Sequence, residues 1–123
     1  MSYEVTVCNL VSDITDRVYL GAAPHNPTLP YLLVQLVNAQ HEHVLGGPGG
    51  LIRATMQFDA IGRDQHDVLE IISDVRNLLD GYSDNDVLYA LVLDEQDLTL
   101  PPNDASPEFL YRRVARYLIR IRE

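Results

Sequence analysis

The chain has 123 residues, 46% of them hydrophobic, with nine basic residues against eighteen acidic ones and a net charge of −9. That length supports one compact domain over residues 1–123, and no apolar run approaches the roughly 18 residues that a membrane span needs. An acidic balance of this size repels DNA and excludes a general nucleic-acid binder.

The segment Met1-Ser2-Tyr3-Glu4 lacks the basic and apolar regions of a secretory signal, so the chain is expected in the cytoplasm. Tyr3, Val7, Leu10, Val11 and Ile14 follow helical spacing and predict a short N-terminal helix. Cys8, the only cysteine, offers neither a disulfide nor a zinc-ligand pattern and reads as a small buried residue. Asp16 to Leu20 is a brief β-prone run closed by Gly21, and Pro24, Pro27 and Pro30 then impose an extended loop.

Tyr31 to Gln40 is apolar on both faces at its start, as in a covered strand. The stretch Gly46-Gly47-Pro48-Gly49-Gly50 is expected to hold no regular structure. After it, Ile52, Ala54, Met56, Phe58 and Ala60 alternate with Arg53, Thr55, Gln57 and Asp59, the period of a half-buried strand. The two runs predict a long β-hairpin with a flexible tip. Beyond Gly62, Asp64 is placed to cap a helix over about 64–80, whose Val68, Ile71, Ile72, Val75, Leu78 and Leu79 form one apolar stripe ending at Gly81.

Residues 87–100 read as a strand that turns polar at Asp94, and Pro101 to Pro107 as a loop. Leu110 to Arg122 fits two periods. A strand would align Tyr111, Ala115, Tyr117, Ile119 and Ile121, whereas a helix would align Leu110, Val114, Tyr117, Leu118 and Ile121. The plan is α+β: a mostly antiparallel sheet containing the long hairpin, with the main helix and the short N-terminal helix on one face.

Few residues suggest chemistry. His41 and His43 flank Glu42 at the spacing of two metal ligands on a strand, but no third ligand lies nearby and the triplet reads as the solvated end of a hairpin. The glycine cluster is followed by Leu51 and Ile52 where a phosphate loop needs Lys and Ser or Thr. The Pro24, Pro27, Pro30 spacing serves a stiff connection as well as a polyproline ligand. Asp84, Asp86, Asp94, Glu95 and Asp97 read as solvated turns and strand ends. No Ser, Cys or His occupies a catalytic motif, so no enzyme, metal or cofactor is expected.

Charge is distributed unevenly. Residues 109–123 carry five Arg against one Glu, and residues 1–108 carry four Arg against seventeen acids. All nine basic residues are Arg, whose planar fork can grip a carboxylate with two parallel hydrogen bonds. Arg112, Arg116, Arg120 and Arg122 are therefore candidates for contact with the acidic surface of a neighbouring copy, and head-to-tail contacts of that kind can close into rings.

Taken in order, several segments resemble the tail-completion or tail-terminator proteins of long-tailed phages, prophages and gene-transfer particles. They are Arg17-Val18-Tyr19 through Gly21 to Ala23-Pro24 and Leu29-Pro30-Tyr31; the strand Arg53 to Asp59; Val75-Arg76-Asn77-Leu78-Leu79-Asp80-Gly81; and Glu95-Gln96-Asp97-Leu98 followed by Leu110-Tyr111-Arg112-Arg113. Such proteins often begin with a longer helix than the residues before Arg17 allow. The resemblance implies a virion subunit, held in the host cytoplasm before assembly, that forms a hexameric ring on the tail tube, stops its polymerisation and meets the head connector. It implies no catalytic residue, no cofactor and no membrane. It also favours a strand for Leu110 to Arg122, with Arg112, Arg116 and Arg120 turned from the helices toward an interface or the ring lumen, through which DNA passes without specific binding. The hairpin tip, His41, Glu42, His43, Gly46, Gly47, Pro48, Gly49 and Gly50, is the candidate contact for the tail-tube or connector protein. Two rivals stand beside this reading: another neck or connector component, and a small ligand-binding regulatory domain with His41, His43 and the Pro-rich loop as a pocket rim.

Overall fold

The computed structural model describes residues 2–44, 47–102 and 109–122, and of residues 43, 44 and 47–49 the backbone alone. Its elements in chain order are α1 (Tyr3–Leu10), β1 (Val18–Leu20), β2 (Tyr31–Val44), β3 (Gly47–Gly62), α2 (Gln65–Leu79), β4 (Val87–Asp97) and β5 (Tyr111–Arg122). The strands form one five-stranded sheet in the order β1-β2-β3-β5-β4. Only the β1–β2 pairing is parallel. This is the expected α+β plan.

Each helix begins where its sequence supplies a cap. The Ser2 side chain accepts the Glu4 N–H, and the Asp64 carboxylate accepts the His66 N–H at 2.9 Å. Val68, Ile71, Ile72, Val75 and Leu79 form the buried stripe of α2. The helix stops where Gly81 takes a φ of +82°, open to a residue without a Cβ. Two bonds then tie the helix end to β4: Gly81 N–H donates to the Ala90 carbonyl at 2.8 Å, and Val92 N–H donates to the Asp80 carboxylate at 3.1 Å.

The hairpin is longer than its apolar pattern. Val44 pairs with Gly47 and His43 with Pro48, so the strand includes 47–50, where no regular structure was expected. The glycines are accommodated by a register shift between Glu42 and His43 and by Gly50 at a φ of +69°. Gly46 lies outside the described residues, as do 103–107 of the Pro101 to Pro107 loop.

The last segment is a strand, and it is central. β5 pairs with β3 from Leu51↔Arg122 to Gly62↔Tyr111 and with β4 along its other edge. Ala115, Tyr117, Ile119 and Ile121 face the helices and are fully buried. Opposite them α2 presents Val75 and Leu79, and beside them on the same face β3 presents Ile52, Ala54, Met56 and Phe58. α1 adds Val7 and Val11 to the same core. Tyr117 meets Phe58 edge to face, with ring centroids 5.4 Å apart.

The Tyr117 hydroxyl is buried with no hydrogen-bond partner among the described residues. Burial, with Glu95 nearby, pushes its pKa up to about 12. Removing an unpaired buried hydroxyl while keeping the ring should not destabilise the fold. Tyr117→Phe is expected to leave stability unchanged or raise it by up to about 1 kcal/mol in urea unfolding. A loss larger than about 1 kcal/mol would mean that the hydroxyl is hydrogen-bonded after all.

Candidate functional site

Both helices lie on one face of the sheet, and among the described residues no helix covers the other, the bare face. Strand parity decides what that face carries. On β5 it carries Arg112, Arg116, Arg120 and Arg122, the side chains alternating with the buried Tyr117, Ile119 and Ile121. On β3 it carries Arg53, Gln57 and Asp59, on β2 Gln35 and Glu42, and on β4 Asp94.

These side chains form a cross-strand ionic array. The Arg116 guanidinium donates two bonds to the Asp94 carboxylate, one of them Nε to Oδ1 at 2.9 Å. Arg120 donates Nε and Nη2 to Glu42 Oε2 at 3.0 and 2.8 Å, while Arg53 reaches Oε1 at 3.3 and 3.1 Å. One carboxylate thus sits between two guanidiniums. Arg120 and, after it, Arg53 hold the Glu42 carboxyl below the usual glutamate range against partial desolvation. Arg116 lowers Asp94 in the same way.

Asp59 differs from the others because it is only 1% exposed, although it belongs to the bare face. Arg112 Nη2 covers it at 2.6 Å, and Gln57 Nε2 donates to its other oxygen at 2.9 Å. Next to this pair, at the end of the sheet away from the hairpin tip, Tyr31, Ile61, Arg63 and Leu110 line a cleft of about 510 Å³ beneath the Asn26 to Leu29 loop. Arg17 secures that loop by donating to the Pro30 and Leu29 carbonyls.

Arg112, Arg116 and Arg120 therefore each hold a carboxylate of their own chain, and Arg122 is exposed. At the tip, Glu42 is drawn onto the array and His41 is exposed. For Gly47, Pro48, Gly49 and His43 the structure gives strand backbone alone. Among the described residues no group of three or more His, Cys, Asp or Glu is placed to hold a metal. No helix among them is long and apolar enough to cross a membrane.

Sequence reasoning named the arginines but not their partners. Asp94 was read as a solvated strand end and Asp59 only as a polar position on its strand. A signal for the pairing exists in principle, since acids and arginines occupy positions of matching parity on neighbouring strands, but it becomes readable only once strand order is known.

Residues 4–121 match the family described as tail completion protein gp17. No curated protein matches the chain. Among solved structures, a chain from one titled "Virion of native gene transfer agent (GTA) particle" is similar in fold, with a TM-score of 0.50 and 15% identity over 98% of this chain and 87% of that chain. The class is that of structural phage-tail proteins, not of an enzyme family. The chain belongs to the tail completion protein gp17 family, and its role is a structural one in a phage tail.

Removing Arg112 strips the buried Asp59 of its cation, a change that typically costs about 3–5 kcal/mol. With Arg112 itself 34% exposed, the low end applies. Arg112→Ala is expected to lose about 3 kcal/mol in urea unfolding, and Arg122→Ala to stay within about 0.5 kcal/mol of the parent. Equal losses for the two variants would refute the special standing of the Asp59 pair.

Proposed function

We propose that the protein is a single-domain subunit, spanning 1–123, of a closed homo-oligomeric ring of about six copies at the head-proximal end of the tail. There it ends polymerisation of the tail-tube protein and provides the joint to the head connector. The observation that carries this reading is the family match across 4–121, which makes the chain a tail-completion protein.

The physical logic of such a part is asymmetric. A tube grows because each added ring presents the surface that the next ring needs. A terminator binds that surface once and offers a different one, so addition stops. Ring closure supplies the multivalency: each subunit contact adds to the others at high effective concentration, and weak individual contacts suffice.

In this reading the bare sheet face, with Arg112, Arg116, Arg120 and Arg122, serves a subunit interface or the lumen. The hairpin tip, from His41, Glu42 and His43 to Gly47, Pro48, Gly49 and Gly50, meets the tail-tube or connector protein. With a net charge of −9, the ring passes DNA without gripping it. Before assembly the subunit resides in the host cytoplasm.

Deletion of the gene in a particle-producing strain tests the reading, with tail lengths measured by electron microscopy. The expected outcome is tubes of uncontrolled, excessive length without heads. Tails of normal length that merely fail to join heads would overturn the termination role and favour a connector component.

A further inference from the structure

Charge on the bare face is not balanced locally. Asp59 and Asp94 each meet one principal guanidinium. At the hairpin end, by contrast, Arg53 and Arg120 share the one carboxylate of Glu42, and Arg122 is in no ion pair among the described residues. Arg53 and Arg120 are directly opposite across β3 and β5, and Arg122 lies in the cross-strand row of Glu42 and Leu51. Two like charges facing each other across strands are destabilising unless an anion lies between them. Glu42 answers part of that demand, and among the described residues the cluster keeps an excess of positive charge.

Most carboxylates elsewhere are engaged within the chain. Glu95 is held by Arg76, Asp97 by Thr99, Asp84 by Tyr82 and the β4 backbone, and Asp80 by Val92. A groove of about 280 Å³ between the turn after α1 and the outer face of α2 gathers several acids with few cations. Asp16, Asp67, Glu70 and Asp74 line it with Arg17 as the one cation, and that guanidinium is directed at the Pro30 and Leu29 carbonyls. The partner of Glu70 is His66, at 3.5 Å.

The groove lies toward the Pro30 end of the sheet, and the arginine cluster lies toward the hairpin end. The groove is on the helix-covered side and the cluster on the other face, with Glu42 about 11 residues along β2 from Tyr31, at most roughly 36 Å at about 3.3 Å per residue. They cannot meet within one chain.

We propose that the Arg53–Glu42–Arg120 cluster, with Arg122, docks into the α2 groove of a second copy, where Asp67, Glu70 and Asp74 supply the missing carboxylates. This rests on the ring reading above and names its contact. Unlike patches at opposite ends of a subunit make a head-to-tail junction, the type that closes into rings. The guanidinium fork favours carboxylates in this contact, and opposite net charges orient the encounter.

The test uses two double variants and analytical ultracentrifugation. Arg53→Glu with Arg122→Glu reverses the cluster while leaving the Arg120–Glu42 pair in place, and Glu70→Arg with Asp74→Arg reverses the groove. Each alone is expected to weaken self-association at least about tenfold. Mixed in equal amounts, they regain association, because the intact cluster of one variant meets the intact groove of the other and the two reversed patches again face each other with opposite charges. Because only folded chains can restore that junction, the mixture also controls for unfolding, and Arg122→Glu alone should shift association in the same direction.

If the parent assembles and either double variant assembles equally well, or if the mixture stays monomeric, the contact is overturned and the ring reading stands. A parent that stays monomeric at every concentration overturns both. Binding of a short DNA duplex that is lost with the cluster, while assembly is unchanged, would make the cluster a phosphate site and likewise overturn the contact.

Discussion

The structure depends on the register of β5. This last strand enters the middle of the sheet, between β3 and β4, and alternates Ala115, Tyr117, Ile119 and Ile121 with Arg116, Leu118, Arg120 and Arg122. Side chains on a strand change face with every residue, so a slip by one position would drive the arginines into the core and Tyr117 into water. The buried carboxylate of Asp59, reached by Arg112, allows one alignment of β5 on β3. α2 in turn rests its apolar stripe on the face that this alignment makes apolar.

The ionic array on the other face contributes specificity more than stability. Exposed pairs such as Arg53–Glu42 are worth about 0–1 kcal/mol, because water already solvates both partners well. Such a face suits a surface that must be soluble in a free subunit and covered in an assembly. Its charges are largely neutralised in advance, which lowers the desolvation cost of contact. Where neutralisation is incomplete, around Glu42, the face has a directional preference for an acidic partner.

Much of the fold was legible in the sequence because its periodicities are local. Val68 to Leu79 could be read as a helix without knowledge of anything else, and Ile52 to Ala60 as a strand. β5 could not, since Tyr117 and Ile121 satisfy both the strand and the helix spacing, and only pairing with β3 and β4 decides between them. The glycine-rich stretch was misread for a related reason: backbone pairing to His43 and Val44 holds Gly47 and Pro48 in a strand although they have no β propensity. At the site, the arginines were visible as a row, but Glu42, Asp59 and Asp94 are 78, 53 and 22 residues from their partners, and no local pattern records such pairs.

The central claim is that this subunit works as a closed ring, and native mass spectrometry of the purified protein tests it most directly. The account predicts a dominant species of about six protomers that breaks up as salt is raised, because charge directs the junctions. A single chain at every concentration and ionic strength would contradict it.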